Sequence, residues 1–183
     1  LVPSVSGGYK PQQDADLNEL MDQLCECEPK AARLAEFFVE IMLDSRRDVV
    51  QRDYAIQHLR VVCRVLLGGT DGGADGNSRT AAEMARNALL EVVPENTCCL
   101  AGTALLALAE IAGISPAMDA GSISRLALGR AGDAQTDEGI RVTALLVCAQ
   151  MNNPDALPVA WRILDESKRL SLRLAAISTL AAL

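Results

Sequence analysis

The chain has 183 residues, half of them apolar, and a formal net charge of −7 at pH 7. That length suffices for one domain with a sizeable buried core, and the excess acid argues against nucleic acid as a partner, because like charge repels a phosphate backbone. Only five residues are aromatic (Tyr9, Phe37, Phe38, Tyr54 and Trp161); Ala and Leu carry the apolar content, which suits closely packed helices rather than sheets, so the expected fold class is all-α.

Residues 1–13, "LVPSVSGGYKPQQ", read as a flexible linker or as the scar of a removed segment, compatible with a signal or anchor upstream. Helical periodicity begins at Asp14. A first helix is expected from about Asp14 to Cys25, with Leu17, Leu20, Met21 and Leu24 on its inner side. Asp14, Asp16, Glu19, Asp22, Glu26 and Glu28 fall together with no Lys or Arg among them, which reads as a solvated face.

Pro29 sits where a helix start tolerates it and opens "PKAARLAEFFVEIML". "RRDVVQRDYAIQHLRVVCRVLL" follows as a longer helix, and "GGTDGGADGN" then reads as a flexible loop. "SRTAAEMARNALLEVV" and "NTCCLAGTALLALAEIAG" are the next two helices, followed by a weaker one in "PAMDAGSISRLALGR". In the closing segment, Asn153-Pro154 makes an N-cap and first-turn pair between two further helical runs. No uninterrupted apolar stretch approaches the ~18–20 residues that span a bilayer, so no direct membrane contact is expected of this chain.

Little in the sequence points to chemistry. The single histidine, His58, matches no metal spacing and reads as a partly exposed helical residue. The six cysteines read as thiols, which favours a reducing compartment: Cys63, Cys98, Cys99 and Cys148 lie in apolar helical runs as packing residues, while Cys25 and Cys27 are too close for the usual metal pair. The Gly-rich loop lacks the Gly-Lys-Ser/Thr ending of a phosphate loop, and Asp71, Asp75 and Asn77 lack the Glu that closes a calcium loop. No cofactor, metal or catalytic residue is expected.

A repeat is easier to see. Paired in order, the helices give four hairpins starting near Lys30, Ser78, Ala117 and Pro154. Their second helices align on Ala55, Ala104, Ala144 and Ala176, at intervals of 49, 40 and 32 residues. Such hairpins cannot bury their apolar faces alone and must stack on neighbours.

In "DVVQRDYAIQHL" and "DEGIRVTALLVC" an Asp stands four residues before an Arg and the Arg three before an Ala: Asp48/Arg52/Ala55 and Asp137/Arg141/Ala144. This pattern resembles the second helix of HEAT repeats, including the short variety of bilin-lyase-like proteins. The resemblance covers roughly residues 30–183. The last repeat keeps Arg173 and Ala176 but has Arg169 in place of Asp, and the second has Thr97 and Ala101 instead of both. The resemblance implies a HEAT/armadillo-like α-solenoid of about four hairpins plus an N-terminal helix, over residues 14–183. It also implies a structural ladder from Asp48, Arg52, Asp137, Arg141 and Arg173, each Arg paired with its Asp or with a neighbouring turn.

In such stacks the second helices line the concave face. Asp53, Gln57, Arg60 and Arg64 would form a polar stripe there, giving way to Leu106, then Val142 and Leu146, then Leu174 and Ser178. That apolar stretch is either an exposed groove for a partner or, in a tightly curled array, core. The functional expectation is a non-enzymatic protein-interaction or scaffolding module. Its rivals are a self-assembling or apolar-ligand-binding module and a bilin-lyase-like enzyme; a HEAT-like DNA glycosylase would need a basic, aromatic groove that this chain lacks. The closing "LSLRLAAISTLAAL" is apolar on several sides, so either more repeats follow Leu183 or this end packs against another copy, and a homodimer or end-to-end contact through the C-terminal helix is expected of this chain.

Overall fold

The computed structural model describes residue 19 and residues 31–68, 76–95, 99–115 and 118–183. Among the described residues there are eight helices: α1 (Ala31–Leu43), α2 (Val49–Leu67), α3 (Gly76–Val92), α4 (Cys99–Ile114), α5 (Ala120–Gly132), α6 (Glu138–Gln150), α7 (Ala156–Glu166) and α8 (Leu170–Ala182). The described residues contain no strand. The fold is all-α. The acidic helix expected near Asp14–Cys25 and the loop residues 69–75 lie outside the described residues, Glu19 excepted.

Helix starts follow local chemistry. Asp48 Oδ1 accepts from the Val50 N–H at 2.8 Å to cap α2, and Asp137 Oδ1 accepts from the Gly139 N–H at 2.8 Å to cap α6. Each cap satisfies a donor that the helix itself cannot, a gain of about 1 kcal/mol. At α8 the equivalent residue is Arg169, and no side-chain cap forms.

Three boundaries differ from the sequence reading. α3 takes in Gly76 and Asn77, the last two residues of the supposed loop, with Thr80 Oγ1 donating to the Gly76 carbonyl at 2.8 Å. The segment that looked weakest is a full helix, α5, capped by Asp119 in a left-handed conformation (φ 50°). Asn153 does not begin α7 directly: its Oδ1 accepts from Asp155 N–H at 3.0 Å, and its Nδ2 donates to Ser124 Oγ of α5 at 2.8 Å. The helix proper starts at Ala156.

The hairpins α1/α2, α3/α4, α5/α6 and α7/α8 pack side by side. In one layer α2, α4, α6 and α8 contact one another in sequence; in the other, α1 packs on α3 and α5 on α7. α4 is enclosed by α2, α3, α5 and α6, which is why its sequence is apolar nearly all round, with Leu100, Ala104, Leu105, Leu108 and Ile111 fully buried. Small residues allow close approach there: a Cβ added at Gly102 would stand 3.2 Å from Thr143 Oγ1 of α6. The register of the second helices is carried into three dimensions: Ala55, Ala104, Ala144 and Ala176 are all fully buried.

A candidate interaction surface on the second helices

The polar stripe on α2 is tied together and to α4. Gln57 Nε2 donates to Asp53 Oδ2 at 2.7 Å. Arg60 and Arg64, one turn apart, converge on the two oxygens of Glu110, at 2.9 Å and 3.0 Å. One α4 carboxylate thus serves two α2 guanidinium groups, neither buried, so the bridge contributes modestly to stability and chiefly fixes where its charges stand. Glu110 escaped the sequence reading, although it is the single charged residue in "LAGTALLALAEIAG". A lone acid in an apolar helix is a signal for a cation on the next helix.

Further along the same layer the surface becomes apolar. Leu106 of α4 and Val142 of α6 are half-buried, Leu146 is 41% exposed, Leu174 of α8 is 54% exposed, and Ser178 is exposed. The stripe is therefore surface, not enclosed core. Exposure rises toward α8 because each interior helix has a successor beside it and, among the described residues, α8 has none.

Of the two partners expected for the ladder arginines, their own aspartates or a neighbouring turn, the aspartates are not used, and Arg52 reaches the turn of the next hairpin. Arg52 Nε donates to the Met42 carbonyl at the end of α1 (2.7 Å), and its other arm reaches Glu95, in the turn between α3 and α4, at 2.7 Å. Arg141 Nε donates to the Ala131 carbonyl at the end of α5 (3.2 Å). Arg173 donates to the carbonyls of Leu164 and Ser167 at the end of α7. Asp48 and Asp137 are committed to the Val50 and Gly139 N–H groups, so the guanidinium groups turn to carbonyls that the preceding helix leaves unpaired at its negative end. Arg162 repeats the device between hairpins, donating to Gly132 O at 2.8 Å.

The residues considered for chemistry are mostly built into packing. His58 is buried rather than partly exposed, its ring stacked on Phe38 with centroids 5.6 Å apart. Burial pushes the Cys63 thiol up to about 12 and the Cys148 thiol up to about 11, the direction that keeps sulfur protonated and unreactive. Cys99 is exposed instead of packed, because it opens α4 before the enclosed part of that helix. Cys25, Cys27, Cys98, Asp71 and Asp75 lie outside the described residues. Among the described residues no group of three or more His, Cys, Asp or Glu side chains is placed to hold a metal, and no helix is long and apolar enough to cross a membrane. No protein-family model, no curated protein and no solved structure matches this chain.

Proposed function

We propose that this chain is a HEAT/armadillo-like α-solenoid working as a non-enzymatic protein-interaction or scaffolding module. The partner lies along the second-helix layer. The observation that carries this reading is the graded surface from Asp53, Gln57, Arg60 and Arg64 to Leu106, Val142, Leu146 and Leu174, a polar anchor continuous with exposed leucines on one rigid layer. A preformed surface binds without a large ordering cost, and exposed apolar residues grouped beside ion pairs make a typical interface centre and rim. Burial of His58, Cys63 and Cys148 supports the non-enzymatic part of the reading, since each serves packing where it stands.

The test uses the full chain as bait with a photo-crosslinker at residue 146, and a control crosslinker at Glu83 in α3 of the other layer. A protein captured from residue 146 but not from residue 83, and lost on Leu146→Lys with unchanged helicity, supports the reading. Equal capture at both positions, or no effect of Leu146→Lys, would overturn it.

A further inference from the structure

Five of the large apolar side chains that stand exposed belong to the last hairpin: Trp161, Leu170, Leu174, Ile177 and Leu183. Ile177 is the most telling. It follows Ala176, and its counterparts one residue after Ala55, Ala104 and Ala144 are Ile56, Leu105 and Leu145, all fully buried by the architecture around them. Ile177 is 51% exposed and Leu170 is 71% exposed. Leu170, Leu174 and Ile177 fall at i, i+4 and i+7, one continuous stripe on α8. The face has the chemistry and register of an internal helix–helix contact, and among the described residues no helix lies on it.

Charge identifies the occupant. Residues 156–183 hold four cations (Arg162, Lys168, Arg169, Arg173) and two acids (Asp165, Glu166), a balance of +2; the other residues therefore sum to −9, since the whole chain is −7. Lys168, Arg169 and Arg173 flank Leu170, at the start of the exposed stripe. At the other end of the sequence, residues 14–28 carry six acids and no Lys or Arg, with Leu17, Leu20, Met21 and Leu24 at i, i+3, i+4 and i+7. We propose that the outer face of α8 docks the acidic segment 14–28 of a second copy of this chain, head to tail.

The same chain cannot supply that segment. α1 and α2 stand at the opposite end of the array from α8, three helix-to-helix steps of 8–10 Å, or about 24–30 Å. The seven residue steps from Leu24 to Ala31 reach about 25 Å when fully extended, short of a helix seated one further step beyond α8. A parallel two-fold pairing of α8 with α8 would bring Lys168, Arg169 and Arg173 of two copies together and repel, and an antiparallel one would leave those cations facing a helix end with no acid, since residues 170–183 contain none. The head-to-tail contact matches apolar with apolar and cation with acid.

The experiment is light scattering of the full chain over a wide dilution series, at low and high salt. The wild type should rise above the 19.4 kDa protomer mass with concentration, less so at high salt. Ile177→Lys and the milder Ile177→Ser should each weaken association about tenfold or more with unchanged melting temperature. Neutralising the head (Asp14→Asn, Asp16→Asn, Glu19→Gln and Asp22→Asn together) should do the same. Mixing the Ile177→Lys chain with the head-neutralised chain should restore a dimer, because one intact tail meets one intact head. A wild type that stays monomeric throughout, a head-neutralised chain that associates as strongly as wild type (the two-fold contact), or a mixture that fails to pair would each overturn the proposal. Leu174 belongs to both surfaces, but Leu146 lies on α6, outside the α8 stripe, so Leu146→Lys should leave the association intact.

Discussion

The guanidinium of Arg141 reaches ten residues back along the chain, where its Nε donates to the carbonyl oxygen of Ala131 at 3.2 Å. Arg52 holds Met42 in the same way, and Arg173 holds Leu164. A helix end exposes carbonyls with no intrahelical donor, and a planar cation on the returning helix satisfies one of them while opposing the helix dipole. The Arg therefore ties the second helix to the end of the first, and in the first and third hairpins the Asp four residues before it starts the second helix.

Replacement by Ala should rank these arginines. Arg52 makes two charge-assisted bonds, one to the next hairpin, with its side chain only 12% exposed. Arg52→Ala should cost about 2 kcal/mol and Arg141→Ala about 1 kcal/mol, on the usual worth of hydrogen bonds to charged groups. Arg52→Lys should recover little, because an ammonium cannot fork to both acceptors. Urea denaturation with a common slope measures all three; equal losses for Arg52→Ala and Arg141→Ala would contradict the role given to Glu95.

The caps give a second, independent prediction. Asp48→Ala and Asp137→Ala should each lower stability by about 1 kcal/mol, while the Asn variants, which keep the acceptor, should lose only a few tenths. Exchanging Arg169 for Asp should install the missing cap on α8 and raise stability, unless losing the Arg169–Glu138 ion pair at 3.4 Å offsets it. Exposed pairs of that length contribute little, so a net gain is the expected outcome of the same denaturation series.

Acid should destabilise the protein through a few turn carboxylates. The Arg46 guanidinium holds Asp44 below its ordinary value of 3.8; the bond from Ser122 does so for Asp119, and the Gln135 N–H followed by the Thr136 hydroxyl for Asp133. A carboxyl whose pKa is lowered on folding contributes stability that is complete above its unfolded value and lost as pH falls through its folded one. Melting temperature should thus be level at neutral pH and decline below about pH 4. Asp133→Asn should flatten that decline; an unchanged acid limb would remove Asp133 from the account.

Thiol labelling followed by peptide mapping should separate Cys99 from the buried pair. Exposed Cys99 should react in native protein, whereas Cys63 and Cys148, raised to about 12 and about 11 by burial, should react only after denaturant is added. Rapid native labelling of Cys63 would mean that α2 opens locally far more often than its packing implies.

The helices and their order were legible in the sequence because apolar spacing and capping residues are local signals. The alignment on Ala55, Ala104, Ala144 and Ala176 was legible for the same reason: a small residue recurs at one register position of each second helix, and each is fully buried. The partners of long polar side chains were not. Arg52 and Asp48 share a helix face on paper, yet Asp48 is consumed by the Val50 N–H group, and the acceptors of Arg52 come from Met42 and Glu95, ten and forty-three residues away. His58 misled for a related reason. Its polarity suggested a half-wet position, but the flat ring fills the space over Phe38 that an aromatic side chain would fill.

Gly102 offers the sharpest test of how the second helices stack. It lies buried in α4 facing Thr143 of α6, and a Cβ there would come within 3.2 Å of Oγ1 and 3.5 Å of Cβ of that threonine. Thr143 cannot swing away freely, because its hydroxyl donates to the Gly139 carbonyl at 3.1 Å. Glycine inside a helix costs roughly 0.5–1 kcal/mol relative to alanine, so Gly102→Ala should be near neutral, the propensity gain offsetting a small displacement. Gly102→Leu has no such compensation and should cost about 1–3 kcal/mol by overpacking. Thr143→Ala on its own should cost well under that, since the Gly139 carbonyl keeps its helical bond. Combined with Gly102→Leu it should recover about half the loss, a coupling that contacting residues show and distant ones do not. Additive losses in that double-mutant cycle would mean α4 and α6 do not meet at this point.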